Sequence, residues 1–296
     1  MPPPSKPDVL RGRVFRRSDV VPRGLLTEDA LRSSAWRRLF GGVYADADLP
    51  DSSGVRIRGA ALLVPASAAF SGRSAAYLHG ATELVDADSL IEVTVPSGFR
   101  YGPVAGLRIH QTLLPASDVS DLNGRRVTTG LRTALDIARR EPVTEAVAAL
   151  DVLLAHAVVG KGELTESAQR DRVRGSKRVQ QAVSLADPRA ESQPESRLRV
   201  LLSLAGLFAQ PQFSVRDQDG GVVARVDLAF PDHLVAIEYD GAWHGGRRQF
   251  AKDRRRLNRL VAAGWTVIHV TSADLREPLE LVARIRTLLS RPRSGN

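Results

Sequence analysis

The sequence predicts a mixed α/β protein of the α+β kind, built from two domains. Segments with apolar residues at helical spacing are interspersed with segments in which apolar and polar residues alternate as in strands. The 296 residues suffice for two ordinary domains. A polar segment with few aromatic residues, at residues 161–194, separates two regions of globular composition. These three observations support the two-domain α/β prediction.

The N-terminal region combines helix and strand patterns. Residues 1–19 are basic and rich in proline, and we expect a disordered tail there. Thr27 is a good helix N-cap because two acidic residues follow it in the first turn. Residues 36–44 indicate the end of a helix, a Gly-Gly turn and a strand. Further along, strands are predicted at residues 90–96 and 104–112, and helices at residues 131–139 and 142–157.

The segment of residues 161–194 is predicted to be a helical linker. It is polar and charged, with room for one or two exposed helices. Asp187-Pro188 and Gln193-Pro194 interrupt regular structure at its end. We therefore place the domain boundary there.

The C-terminal region has a more regular pattern, which predicts the element order α-β-β-β-α-β-α. Gly264 follows the second helix in the position that commonly ends a helix. Helices are predicted at residues 195–208, 246–263 and 278–290, and strands at residues 212–216, 222–230, 234–240 and 265–270.

The composition favours a soluble protein with an acidic partner. The net charge is +9 and the isoelectric point is near 10.6, which is typical of proteins that bind nucleic acid, but also of arginine-rich chains that merely reflect GC-biased codon usage. Cysteine is absent, which excludes disulfides, thiolate catalysis and cysteine-based zinc or iron–sulfur sites. With neither a transmembrane run nor a signal peptide in the pattern, we expect a cytoplasmic protein without a membrane partner.

Acidic residues on two predicted strands form the main candidate site. A tight turn centred on Asp232-His233 would set Asp227 opposite Glu238, and would set Arg225 opposite Asp240. Two opposed carboxylates repel each other unless a proton or a divalent cation relieves the repulsion. Mg²⁺ or Mn²⁺ held there would suit phosphodiester hydrolysis. The alternative is that these acids lie on the solvent face and pair with nearby arginines.

The same stretch carries a family resemblance. Residues 195–292 resemble the very-short-patch-repair-like endonucleases and their bacterial relatives, which belong to the restriction-endonuclease-like, PD-(D/E)XK superfamily. The resemblance rests on ESRLR, RVDLAFP, AIEYDGAWH, QFAKDRRRLNRL and GWTVIHVT, which begin at residues 195, 225, 236, 249 and 264. It implies an endonuclease-like domain with an α-β-β-β-α-β core.

The resemblance also implies roles for individual residues. Asp227 and Glu238 match the metal-binding acids, and Glu195 matches an acid of the first helix that completes the metal shell. Asp240 stands where the superfamily usually has a lysine, and His244 matches the histidine that the repair-type relatives use instead, as a general base or as a group that positions the water. Asp253 matches a recurrent helix acid, with either a catalytic role or a salt bridge that positions the helix. The implied catalytic set is Asp227, Glu238, Asp240 and His244, with Mg²⁺ or Mn²⁺ as cofactor.

The helix predicted at residues 246–263 has a basic stripe and an apolar stripe. The basic stripe is predicted to contact phosphates, and Trp243 is predicted to stack on a base. The alternative is an ordinary solvated helix face. The basic residues are Arg248, Lys252, Arg255 and Arg259, and the apolar residues are Phe250, Leu257, Leu260 and Val261.

The N-terminal two thirds resemble the AbiEi-type antitoxins and transcriptional regulators of abortive-infection systems. The matching segments are GLLTEDAL, RRLFGGVYA, SAAYLHGA, VTVPSGFR and VTTGLRTALDIA, which begin at residues 24, 37, 74, 93 and 127. The resemblance implies a winged-helix-like segment at residues 20–50 and an α/β domain at residues 51–160. Arg37 and Arg38 would then contact phosphate, with a wing at residues 41–44. The alternative is a scaffold or protein-binding module.

Together these patterns predict a metal-dependent DNA endonuclease whose N-terminal part binds DNA or a partner. Double-stranded DNA is the expected substrate, and a toxin or another defence-system protein is an expected partner. The alternative is a non-catalytic, DNA-binding, antitoxin-like transcriptional regulator, which the acid at position 240 favours. A nuclease acting on RNA is a third reading.

Overall fold

The structure is a computed structural model that describes residues 6–99, 101–217, 220–241 and 247–290, with side chains described for all of these except 247–253. Helices and strands are interspersed throughout these ranges, and the strands form three sheets. The predicted mixed α/β class is therefore confirmed. In the described part of the chain, no helix is both long enough and apolar enough to cross a membrane.

Two compact units divide the chain. One comprises Met1–Ile137 together with His156–Leu164, and the other comprises Ala138–Ala155 together with Thr165–Asn296. The helices that follow residue 137 are thus shared between the units, whereas composition predicted a single boundary inside residues 161–194. The domain limits predicted from composition remain predictions.

The first unit begins with a small antiparallel sheet in the order β1-β3-β2. A short helix, α1, follows β1, and a Gly-Gly turn joins β2 to β3, where Gly42 has a φ of +72° that glycine adopts at little cost. The bounds are Val14–Arg16 for β1, Arg17–Val20 for α1, Trp36–Phe40 for β2 and Val43–Asp46 for β3.

Residues 36–40 form strand β2, so the prediction of a helix end there was wrong. Trp36 and Phe40 have the i, i+4 spacing of a helix, but they belong to different cores. Trp36 packs edge-on against Phe15, with the ring centroids 5.1 Å apart, while Phe40 packs in the core around Ile57 and Val43. A register shift between Arg38 and Phe40 lets the strand supply both cores.

The winged-helix-like interpretation of residues 20–50 finds no support in these elements. Thr27 Oγ1 accepts a hydrogen bond from the Ala30 N–H at 3.1 Å, but Asp29, and not Thr27, is in the N-cap position of the helical turn that follows. The helical stretch that follows is one 3-10 turn, Ala30–Arg32. Residues 20–50, all of which the structure describes, contain no helix longer than one turn that could serve as a recognition helix.

The rest of the first unit is built around a five-stranded mixed sheet in the order β6-β5-β4-β8-β7. Its core contains Ile91, Val93 and Val127. Both strands predicted in this region are present, and they pair in parallel, with Ile91 beside Leu107. The bounds are Ser53–Ala61 for α2, Ala69–Phe70 for β4, Gly72–Leu78 for α3, Ile91–Pro96 for β5, Leu107–Thr112 for β6, Val119–Asp121 for β7 and Arg126–Thr128 for β8.

Four helices follow the sheet. Helix α4 begins at Gly130, where any side chain would collide with the Val158 carbonyl, because a built Cβ lies 1.9 Å from that oxygen. The predicted linker contains two of the four helices, as its length allowed. The bounds are Gly130–Arg140 for α4, Val143–Ala155 for α5, Lys161–Arg170 for α6 and Ser176–Leu185 for α7.

The C-terminal part of the second unit has the predicted order α-β-β-β-α-β-α, with one additional short helix, α10. Its sheet order is β12-β11-β10-β9, in which β11 and β12 are parallel and the other pairs are antiparallel. The bounds are Gln193–Leu204 for α8, Gln210–Arg216 for β9, Val222–Phe230 for β10, Val235–Asp240 for β11, Arg247–Ala262 for α9, Thr266–Thr271 for β12, Ser272–Arg276 for α10 and Pro278–Leu289 for α11.

Two details of this region differ from the prediction. Helix α8 begins at Gln193 and includes Pro194, because proline is well tolerated in the first turn, where its missing N–H has no helical partner anyway. Val261, assigned to the apolar stripe of α9, is 59% exposed, while Leu260 is fully buried. The apolar stripe is therefore narrower than the sequence pattern indicated.

Candidate functional site

Strands β10 and β11 bring the predicted acidic pair together. Their antiparallel register pairs Phe230 with Val235 and Leu228 with Ile237. Continuing this register by one residue sets Asp227 opposite Glu238, as the sequence predicted. A 3-10 turn, Pro231–His233, joins the strands and gives the hairpin the expected symmetry.

Asp227 lies partly buried beside the backbone of β11. Its Oδ2 accepts a hydrogen bond from the Tyr239 N–H at 2.8 Å. Burial raises the pKa of Asp227, the hydrogen bond from Tyr239 opposes that rise, and the charge of Glu238 adds to it. The ionised pair is therefore costly to the folded chain, which is the electrostatic property expected where a cation or a proton binds.

A residue that the sequence analysis missed, Arg256, contacts Glu238. Its Nη1 donates to Glu238 Oε2 at 2.8 Å, and its Nη2 lies 2.6 Å from Oε1. Nη2 also donates to the backbone carbonyl of Arg225. Arg256 precedes the buried Leu260 by four residues and so shares the inner face of α9. The spacing from Leu260 could have identified Arg256 as an inward-facing residue, but only the arginines and the lysine of the basic stripe were assigned a role.

Glu195 is close enough to Asp227 for their charges to interact. Burial and the charge of Asp227 both raise the pKa of Glu195, while the hydrogen bonds that its carboxylate accepts lower it; the net shift is upward. Its carboxylate accepts from the Ser192 hydroxyl at 2.8 Å, the Glu191 N–H at 3.0 Å and the Gln212 amide at 2.9 Å. Glu195 therefore serves in the cap of α8, and its oxygens are already hydrogen-bonded.

Asp240 has a partner that the sequence analysis did not consider. Its carboxylate lies 3.1 Å from Nδ1 of His269, and both side chains are a little over 40% exposed. In the parallel register, His269 stands beside Glu238 on the adjacent strand, which puts the imidazole on the same face of the sheet as the acids. The signal was available, because His269 alternates with the inward-facing Ile268 and Val270.

As arranged, the acids do not fit a divalent cation. The guanidinium of Arg256 donates to Oε2 of Glu238 and lies 2.6 Å from Oε1, which is buried without a hydrogen-bond partner among the described residues. The oxygens of Glu195 are engaged by the α8 cap. Among the described residues, no group of three or more histidines and carboxylates is placed to hold a metal ion. The all-oxygen donor set has the chemistry that Mg²⁺ prefers, but Arg256 would have to leave first.

The ESRLR segment has a second role in packing. Ser196 donates its hydroxyl to Asp151 Oδ2 at 2.6 Å, and Arg199 donates to the same oxygen at 2.8 Å and to the Leu185 carbonyl at 2.6 Å. Asp151 is 1% exposed, and burial raises its pKa even though the Arg199 charge lowers it. This part of the motif therefore joins α8 to α5 and to the end of α7.

The SAAYLHGA segment is likewise occupied with structural contacts. It forms α3 and the turn that follows. The Ser74 hydroxyl accepts from the Glu92 N–H at 2.8 Å, and the His79 ring lies 2.8 Å from the Thr128 carbonyl. The buried Glu92 contacts His110 at 3.1 Å, and the charges and hydrogen bonds around it lower its pKa despite burial.

The predicted nucleic-acid contacts fall into three groups. Arg255 and Arg259 on α9 are exposed, and Arg259 donates to the Val222 carbonyl at 3.1 Å. Arg37 donates to the carbonyls of residues 49 and 50, and the exposed Arg38 donates to that of residue 40, so both take part in local structure. The third group lies outside the described side chains and contains Trp243, Arg248 and Lys252. The predicted catalytic His244 and the helix acid Asp253 also lie outside them.

Comparison with known proteins gives two findings. Residues 67–185 match the model of the AbiEi antitoxin C-terminal domain. Two relatives from Mycobacterium tuberculosis, uncharacterized protein MT2308 of strain CDC 1551 / Oshkosh and uncharacterized protein Rv2248 of strain ATCC 25618 / H37Rv, are each 31% identical over 261 residues, which is 86% of this chain and 93% of the relative. No solved structure matches the chain.

Proposed function

The chain belongs to the family of these two mycobacterial relatives and contains an AbiEi antitoxin C-terminal domain, and we propose that it is an antitoxin-like transcriptional regulator that binds DNA. The match of residues 67–185 to the antitoxin domain carries the proposal. The net charge of +9 supports it, since a basic protein attracts the phosphate backbone. A toxin of the same defence system is the second partner that this function requires.

The DNA contacts that the proposal assigns are on helix α9. Arg255 and Arg259 are exposed there and one turn apart, the spacing at which side chains on a helix share a face. Arg38 on the β2–β3 hairpin is the exposed candidate in the first unit. Arg37 contributes less in this proposal, because its two terminal nitrogens already donate to backbone carbonyls.

Salt dependence of DNA binding tests the proposal. We expect the full chain to shift the duplex upstream of its own gene in a gel, with an affinity that falls linearly on a log–log plot against salt. The double variant Arg255→Gln with Arg259→Gln should reduce that slope by about 2, because roughly 0.9 counterion is released per phosphate contact. The control pair, Arg170→Gln with Arg172→Gln on the exposed surface of the predicted linker, should leave the slope unchanged. Absence of binding at low salt would contradict the proposal.

A second candidate function is metal-dependent endonuclease activity. The observation that favours it is the opposition of Asp227 and Glu238, with Glu195 near enough for the charge of Asp227 to raise the pKa of Glu195. Arg256 is paired with Glu238, so the acids as arranged leave no free oxygen pair for a cation. We expect that Arg256 keeps the acids closed to cations until it is displaced.

Two measurements test the second candidate. The first is a cleavage assay on supercoiled plasmid, single-stranded DNA and RNA with Mg²⁺, Mn²⁺ or chelator, in which the Asp227→Ala variant is assayed beside the wild type. Cleavage that requires both the metal and Asp227 supports the endonuclease function.

The second is calorimetric titration with Mn²⁺, in which Arg256→Gln should bind the ion more tightly than the wild type, since the substitution frees the oxygens of Glu238. The exposed neighbour variant Arg255→Gln should not. If all three substrates stay intact while the protein still shifts DNA in a gel, the endonuclease proposal is contradicted and the regulator proposal is not.

A further inference from the structure

A cavity of about 500 Å³ lies in the first unit, between the β2–β3 turn and the end of β1. Its described lining includes Arg16, Arg17 and Glu28 as charged residues, with Gly41 and Gly42 of the turn on one side and apolar side chains such as Leu63 on another. The size is in the range of pockets that hold small-molecule ligands, roughly 300–1,000 Å³. No residue of this lining belongs to the acidic site of the C-terminal sheet.

Arg16 is an unusual residue for its position. It stands directly opposite Val43, which is fully buried in the core around Phe40 and Ile57, and directly opposed residues project from the same face of a sheet. A guanidinium therefore lies at the margin of an apolar core. Its Nε is buried and has no hydrogen-bond partner among the residues that the structure describes.

An unpaired donor at such a position costs the protein stability, because desolvating it is not repaid by a bond. Because that Nε is buried, an acceptor entering the cavity would meet the terminal nitrogens of the same guanidinium. The neighbouring Arg17 differs, because it is paired with Glu28 through its guanidinium. The two positive charges and one negative charge in the lining leave one net positive charge, which Arg16 carries.

We propose that this cavity binds a phosphodiester group and that Arg16 contacts it. A phosphodiester carries a single negative charge, which matches the net charge of the lining, and its oxygens suit the planar guanidinium fork. The volume and the apolar side chains leave room for the sugar and base that accompany the phosphate. The group comes either from a nucleic-acid backbone, in which case the inference rests on the proposed DNA binding, or from a small soluble dinucleotide.

Binding of thymidylyl-thymidine, which has one phosphodiester and no other charge, tests the proposal by calorimetry on the full chain. We expect saturable binding of this dinucleotide and none of thymidine, which lacks the phosphate. Arg16→Gln should weaken binding at least about tenfold, the factor expected for one charge-assisted hydrogen bond. Arg13→Gln, which removes an exposed arginine three residues away, should bind as the wild type does.

A second pair of variants keeps the test independent of folding at Arg16. A side chain at Gly41 meets no atom within 4 Å, and Gly41 does not have a positive φ, so substitution there is tolerated. Gly41→Asp should abolish dinucleotide binding by cancelling the net charge of the cavity, while the neutral Gly41→Asn should retain it. Both should melt at the temperature of the wild type.

The two sources of the phosphodiester are separated by the same variants in a gel shift with a short DNA duplex. Loss of both dinucleotide and duplex binding in Gly41→Asp identifies a nucleic-acid contact, and loss of dinucleotide binding alone identifies a small-ligand site. If the wild type binds no duplex but binds the dinucleotide, the regulator proposal fails and this one stands. Dinucleotide binding that is absent from the wild type, or that is as tight in both Arg16→Gln and Gly41→Asp as in the wild type, overturns it.

Discussion

The Asp227 carboxylate shows how one partly buried charge can weaken a fold. Burial and the facing Glu238 both make its ionised form unfavourable, and the N–H of Tyr239 compensates only in part. The folded-state pKa is therefore above the ordinary value of 3.8. An acid with a raised pKa binds its proton more tightly in the folded chain than in the unfolded one, so at neutral pH its ionisation reduces stability.

Replacement of this carboxylate by its neutral isostere should stabilise the protein. Asp227→Asn keeps an oxygen for the Tyr239 N–H and removes the charge that burial and Glu238 oppose. We expect a higher melting temperature than that of the wild type at pH 7. The gain should shrink as the pH falls through the raised pKa of Asp227 and should vanish below 3.8, where the acid is protonated in both states.

Thermal melts of both proteins across this pH range provide the measurement. Glu280→Gln, which neutralises an exposed acid on α11, is the control and should show no comparable gain. A lower melting temperature for Asp227→Asn at pH 7 would show that the charge itself is used by the fold, against the assignment of Asp227 to a ligand site.

At this scale the sequence predicted some residues of the acidic site and missed others, for a physical reason. Strand alternation and a symmetric turn were enough to oppose Asp227 and Glu238. Arg256 and His269 reach the acids from a helix and from a parallel strand that are distant in sequence. Their approach depends on how α9 and β12 pack on the sheet, and a periodic pattern within one segment does not contain that information.

At the scale of elements, helix α8 is attached to α5 by two ion pairs of different burial. Arg199 and Asp151 are 8% and 1% exposed, while Arg197 and Glu145 are 32% and 36% exposed. A buried partner left alone keeps an uncompensated charge in a poorly solvated place, whereas an exposed one is solvated by water. The two pairs thus join the same helices with very different consequences if broken.

Alanine variants on α8 should reveal this difference. Arg199→Ala leaves Asp151 buried with its charge unpaired and removes the bond to the Leu185 carbonyl, so we expect a loss of about 3–5 kcal/mol in the free energy of unfolding. Arg197→Ala, the matched control two residues away, should cost about 0–1 kcal/mol. Denaturant titrations measure both, and equal losses would contradict the assignment of Arg199 as the buried link.

The element patterns also explain which parts of the fold were visible in the sequence. The C-terminal elements were recognised from their residue patterns, and their ends were displaced by only a few residues, although β11 is buried at four consecutive positions, 235–238. Helix α5 has no single buried face, because residues 146–151 are all buried. A helix buried on every side has no stripe to indicate its neighbours, and its place beside α8 was therefore not predicted.

At the scale of the whole molecule, the division into units cuts across the order of the sequence. Residues 138–155 lie within the domain-family match at residues 67–185, yet they belong to the same compact unit as the C-terminal sheet. Composition placed a boundary at residues 161–194, where the chain is polar. A polar segment indicates exposure to solvent and not a domain boundary, because an exposed helix can belong to the unit that precedes it or to the unit that follows it.

Fragments of the second unit should show where the folding boundary lies. A fragment of residues 138–296 retains α5 and α7 with α8, and we expect it to unfold cooperatively on heating. A fragment of residues 193–296 retains the sheet but exposes Arg199 and the face of α8 that contacts α5. It should lose cooperativity or aggregate, because the buried partner Asp151 and its helix are missing.

Circular dichroism melts measure the cooperativity of unfolding, and size-exclusion chromatography measures aggregation. The variant Arg199→Met in the shorter fragment separates the effect of the lost charge pairing from that of the lost apolar contact. Equal melting temperatures for the two fragments would mean that α5 contributes nothing to the stability of the C-terminal sheet, and the boundary predicted from composition would then be the correct one.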